Sequence, residues 1–92
     1  MKITVKAFAT FREVMDMQLE LEVPKGTTVR TLLSDLTARY EGLYELMFAE
    51  PDMLRDFVNI LKNGRNIHFI AGLDTSLDEG DLIALFPPAA GG

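Results

Sequence analysis

Thr28-Val29-Arg30-Thr31-Leu32-Leu33-Ser34-Asp35-Leu36-Thr37-Ala38-Arg39-Tyr40 carries a period that the segments on either side of it lack. Val29, Leu32, Leu33, Leu36 and Tyr40 recur at i, i+3, i+4, i+7 and i+11, which is one apolar stripe on a helix of about three turns. Arg30, Ser34, Asp35 and Arg39 fall on its other side. Thr27 or Thr28 supplies a cap after the break at Pro24-Lys25-Gly26, and Gly42 is placed as the stop. One amphipathic helix cannot close a core alone, so its stripe needs a sheet to lie on.

Both flanks are written in period two. In residues 2–10, Ile3, Val5 and Ala7 share one face, and Lys2, Thr4, Lys6 and Phe8 the other. In residues 17–23, Leu19, Leu21 and Val23 oppose Gln18, Glu20 and Glu22. The short link from Arg12 to Asp16 predicts an antiparallel hairpin, although no Asn-Gly pair marks its turn. After the helix, Leu43 to Phe48 reads as a short helical turn that Glu50-Pro51-Asp52 interrupts. Phe57 to Lys62 predicts a strand, and Asn63-Gly64 a hairpin turn into a partner over Asn66–Ile70. Residues 71–80 read as a loop, with Asp74, Thr75, Ser76 and Gly80 as turn formers. Leu82-Ile83-Ala84-Leu85-Phe86 is a final core strand. The order β-β-α-β-β-β predicts an α+β fold, a mixed sheet of about five strands with one long helix across one face. The most compact arrangement sets the first and last strands side by side in the centre, which is the β-grasp layout. Residues 1–86 then form the domain and residues 87–92 a thin tail.

The sheet face away from the helix stays open. With Ile3, Val5 and Ala7 on the helix side, Phe8 projects from the open face. Taking Ile83 and Leu85 as core puts Phe86 beside it, although both faces of that strand are apolar. An apolar patch on an acidic domain marks a docking site, and Arg12 adds a charged contact at its rim. The alternative buries Phe8 or Phe86 under residues 43–56.

Composition removes several classes of function. No stretch approaches the roughly 20 apolar residues of a membrane span, and the first residues lack the apolar centre of a signal peptide, so a soluble, cytoplasmic chain is expected. A net charge of −5, with nine scattered basic residues, argues against nucleic-acid binding and fits a partner with a basic docking surface. Zero cysteines exclude disulfides, a cysteine nucleophile and a cysteine-ligated iron–sulfur cluster. The one histidine, His68, has no second ligand at metal-binding spacing. With no GxxxxGK[ST] and no GxGxxG, the chain is expected to bind no nucleotide or other cofactor itself.

The tail is Pro87-Pro88-Ala89-Ala90-Gly91-Gly92. Two prolines stiffen its base, and six extended residues reach roughly 20 Å at about 3.3 Å each. Beyond them no side chain exceeds a methyl, so the tip fits a channel that admits little more than backbone. Read as a chain end, Gly92 offers a free carboxylate on the slender Gly91. A carboxylate is a poor electrophile until activated, most simply as an acyl-adenylate from ATP, and here that ATP must be a partner's. A sulfur nucleophile would convert the adenylate to a thiocarboxylate. A lysine amine would leave it as an isopeptide. The chain alone catalyses nothing on this reading; it presents its tip while its body positions it.

With these residues in hand the chain resembles the MoaD/ThiS group of ubiquitin-like sulfur carriers, and most the MoaD branch. The resemblance covers nearly the whole chain and rests on four stretches. They are Ala7-Phe8-Ala9-Thr10-Phe11-Arg12-Glu13, Asn63-Gly64-Arg65, Leu77-Asp78-Glu79-Gly80-Asp81, and Leu85-Phe86-Pro87-Pro88-Ala89-Ala90-Gly91-Gly92. It implies that an adenylating enzyme of the MoaB/MoeB/ThiF kind activates Gly92 and that sulfur transfer makes it a thiocarboxylate. It further implies that the tail enters a MoaE-like large subunit of molybdopterin synthase and gives up sulfur there. Phe8, Arg12, Phe86, Pro87 and Pro88 match positions that dock partners. Residues 43–57 look longer than in the shortest members, as in archaeal ubiquitin-like modifiers. The final acceptor stays open between a molybdopterin precursor, transfer RNA, a thiamine precursor and a protein lysine.

Overall fold

A computed structural model describes residues 1–88, and the alternating segments form its sheet. β1 (Lys2–Ala7) and β2 (Gln18–Glu22) pair antiparallel, with Val5 opposite Leu19. The single long helix, α1 (Val29–Arg39), follows; the Thr28 hydroxyl caps it by accepting the Thr31 N–H at 3.4 Å. A short helix α2 (Leu43–Met47) and two small strands, β3 (Phe48–Glu50) and β4 (Met53–Leu54), fill the middle of the chain. β5 (Asn59–Lys62), β6 (Arg65–Asn66) and β7 (Leu82–Phe86) complete the main sheet. Its strand order is β2-β1-β7-β5-β6, with β1 and β7 parallel at the centre and the other pairs antiparallel. This is the β-grasp arrangement expected from the element order.

Register decides the core. Val5 lies beside Ile83, and Ile60 opposite Leu85, so all four point to the helix side together. They meet Val29, Leu32, Leu33 and Leu36 of α1, each of them fully buried. Burying one such side chain stabilises by roughly 1.5–3 kcal/mol. The helix stripe and the central strands therefore supply most of what holds the domain together.

β7 is fastened at its start by polar groups. The Asn63 side chain donates to Asp81 and accepts the Leu82 N–H, both at 2.8 Å. Asn63 sits at φ 49, the left-handed region that Asn tolerates in a hairpin turn. Buried Asp81 also accepts the Asp78 N–H at 2.7 Å and faces the Lys62 ammonium at 3.3 Å. The hydrogen bond that Lys62 donates to the Asp78 carboxylate, with Asp81 close by, holds the Lys62 pKa above the ordinary lysine value. Gly80, at φ 83, donates to the Lys2 carbonyl and ties the same corner to β1.

Four segments depart from the expected elements. β1 stops at Ala7, and residues Ala9–Glu13 wind into a 3-10 turn because Ala9 takes a positive φ of 50 and Phe11 turns fully inward. Gly42 does not end α1, which finishes at Arg39; at φ 89 it opens α2 instead. The strand expected over Asn66–Ile70 is only β6, followed by a 3-10 turn at Ile67–Phe69. Asn66 causes the change by accepting the His68 N–H at 2.9 Å, a local bond that competes with the ladder. β5 begins at Asn59 rather than Phe57, which lies in a turn.

Candidate functional site

The sheet face away from α1 carries Thr4, Lys6, Leu82, Ala84 and Leu61, all half-buried. At the end of this face β1 and β7 finish together, and the Phe8 N–H donates to the Leu85 carbonyl at 3.1 Å. The structure brings Phe8 and Phe86 into one stack, ring centroids 4.4 Å apart and planes 8° from parallel. Both residues are half-buried. Residues 43–47 pack along α1, with Leu43 and Met47 in the core, so they do not cover this pair. The middle segment is tied to the same helix by Arg30, which bonds Asp52 and Asp74.

Arg12 joins the pair from the 3-10 turn. Its Nε donates to the Ala7 carbonyl at 2.8 Å, and its guanidinium carbon stands 5.2 Å from the centre of the Phe8 ring. That geometry is a cation–π contact on a side chain otherwise exposed. The turn is held down by Phe11, whose N–H donates to the Phe8 carbonyl at 3.1 Å and whose ring has no exposed surface. Phe11 is the residue of this site that pattern reading missed. It lies where neither period runs, and only its size hinted at burial.

By register Glu20 and Glu22 share this face with Thr4 and Lys2. Lys6 and Arg12 flank the aromatic pair from the β1 side, and Lys2 pairs with Glu20 at 3.0 Å farther along.

The ladder ends at Phe86 because Pro87 and Pro88 have no N–H to donate. Pro87 is half-buried and Pro88 exposed. Gly91 and Gly92 lie outside the described residues. The described geometry is thus an aromatic pair with a guanidinium at its rim, sited where the last central strand hands over to the tail. Phe86→Ala is expected to weaken binding to a tail-accepting partner by about 2 kcal/mol or more. Its cost to stability is expected near 1 kcal/mol, because the stack itself contributes only about 0.5–1.5 kcal/mol. Partner titration and thermal melts of one variant separate the two. A melting loss of core size, about 3–5 kcal/mol, would mean the ring serves packing instead.

Comparison with known proteins adds what geometry cannot. The ThiS family model matches residues 5–92. Small archaeal modifier protein 3 of Haloferax volcanii is 39% identical over 93 residues, covering 100% of both chains. The molybdopterin synthase sulfur carrier subunit of Mycobacterium tuberculosis is 34% identical over 93 residues, covering 99% of this chain and 98% of that one. Among solved structures, SAMP1 of Haloferax volcanii superposes with a TM-score of 0.84 at 32% identity, over 99% of each chain. A structure of the Amycolatopsis orientalis BexX/CysO complex matches with a TM-score of 0.77 at 27% identity, over 98% of this chain and 99% of that one.

Proposed function

The chain belongs to the ThiS/MoaD family of ubiquitin-like sulfur carriers, and on that premise we propose that Gly92 is its reacting group. A partner enzyme spends ATP to turn the Gly92 carboxylate into an acyl-adenylate. A sulfur nucleophile then displaces AMP and leaves a terminal thiocarboxylate. The chain delivers that sulfur as the small subunit of a molybdopterin synthase, its tail reaching into the large subunit while the Phe8–Phe86 face docks against it. The observation that carries this reading is the nearly full-length match to a molybdopterin synthase sulfur carrier subunit.

A second reading has its own support. The match to a small archaeal modifier protein is also full-length and somewhat higher in identity. On that reading the same adenylate ends on a lysine amine as an isopeptide. Both readings share Gly92 and its activation, and differ in where the acyl group goes.

Mass analysis of the intact chain purified from its own host decides between them. A carrier is expected to show a fraction whose mass has risen by the exchange of one oxygen for sulfur. Since the chain has no cysteine, thiol-reactive labelling should mark that fraction at Gly92 alone. A large synthase subunit supplied with the molybdopterin precursor should consume the label. Abundant lysine conjugates bearing a Gly-Gly remnant, with no thiocarboxylate, would instead establish the modifier.

A further inference from the structure

A second apolar surface flanks the place where the tail departs. Met53, Phe57 and Phe69 are 55, 76 and 71% exposed, and they line one groove of about 740 Å³. The two asparagines beside them are occupied with each other. Asn66 donates to Asn59 at 3.0 Å, Asn59 donates to the Phe57 carbonyl at 3.3 Å, and the Asn66 side chain accepts the His68 N–H. Asp56 and His68 also line the groove with exposed side chains, so it offers apolar area beside a carboxylate and an imidazole.

Phe57 is held in this position against its own preference. The Val58 N–H donates to the Arg55 carbonyl at 3.2 Å, closing a turn whose third residue is Phe57 at φ 68. That turn position favours Gly or Asn, and a bulky side chain there costs on the order of 1–3 kcal/mol. No packing offsets the strain, since the ring is mostly in solvent. Strain kept on an exposed aromatic is an observation from which a binding role is inferred.

Register locates the groove relative to the tail. Asn59 pairs with Phe86 in the antiparallel β5–β7 ladder, so the Phe57 turn lies at the sheet end where β7 gives way to Pro87. Phe8, Ala9 and Arg12 border the same exit from the β1 side. Four residues follow Pro88, and four residues span at most about 14 Å. A protein that holds Gly92 in its active site therefore reaches to within about 14 Å of Pro88, at the sheet end where the Phe57 turn lies.

We propose that Phe57 and Phe69 form a second docking point for the enzyme that activates Gly92, an apolar side chain of that enzyme filling the groove between them. The proposal rests on the reading of Gly92 as the reacting residue. The activating enzyme is the occupant because it takes the tail first, whichever acceptor comes later.

The test titrates the purified adenylating enzyme of the source organism with the full chain, with Phe57→Asn and with Phe69→Ser, alongside thermal melts and sedimentation of each. Both variants should raise Kd about tenfold. Phe57→Asn should keep or raise the melting temperature, because Asn tolerates the left-handed conformation. Unchanged Kd in both variants, with the parent chain adenylated normally, overturns the docking point and leaves the Gly92 reading intact. A parent chain that binds yet is never adenylated overturns the Gly92 reading and the docking point with it. Variants that change self-association in sedimentation while Kd holds would assign the groove to a second copy of this chain, which also overturns the proposal.

Discussion

Deleting Gly92, or adding one residue after it, is expected to abolish adenylate formation while shifting stability by less than about 0.5 kcal/mol. The asymmetry follows from where the fold ends. The last buried core residue among the described ones is Leu85, and the last ladder pair is Asn59 with Phe86. Nothing beyond that point contributes packing among the described residues except half-buried Pro87. The chemistry, by contrast, has one atom to work on, and moving the carboxylate by a residue moves it by roughly 3.3 Å out of a near-attack position. Pyrophosphate exchange with the activating enzyme reads the first quantity and thermal melting the second. Full activity in the extended variant would remove Gly92 from its assigned role.

Phe11→Ala should have the opposite profile, costing about 3–5 kcal/mol of stability. A small domain holds roughly 5–15 kcal/mol in all, so this one truncation removes a large share of it. The ring has no exposed surface, and it seats the 3-10 turn that carries Arg12. Its loss leaves a cavity under that turn and frees the guanidinium from its place over Phe8, so partner binding should weaken as well. Denaturant unfolding measures the first effect. A loss below about 1 kcal/mol would show that the turn is held by its backbone bonds instead.

The parts legible in the sequence were those with a sustained period. Val29, Leu32, Leu33 and Leu36 announce one helix face, and Ile3, Val5 and Ala7 one strand face. β7 was harder, since Leu82, Ala84 and Phe86 are as apolar as Ile83 and Leu85; pairing with Val5 and Ile60 settles its parity. Shorter segments obey local bonds that no period reveals. The Asn66 side chain turns an apparent strand at Ile67–Phe69 into a 3-10 turn, and the Arg55–Val58 turn draws Phe57 off the start of β5. Residues 43–54 became a five-residue helix and a two-strand corner, each too brief to carry a pattern of its own. For the open sheet face, Phe8 and Phe86 were readable from alternation once parity was chosen. Arg12's hold on the Ala7 carbonyl was not, because it depends on a turn at Ala9 that the residue type disfavours.

The central place of β7 has a mechanical consequence. A tip gripped in another protein's active site pulls along the axis of the strand to which it is joined. That strand is flanked by a parallel neighbour on one side and an antiparallel neighbour on the other, with Asn63, Lys62 and Asp81 clamping its far end. Tension on the tail therefore loads both ladders in shear, so their hydrogen bonds resist together instead of unzipping one by one. An edge strand such as β2 in the same role would have one ladder, not two, to resist the pull. The architecture lets a short tether be tugged without the body unravelling from the end that is pulled.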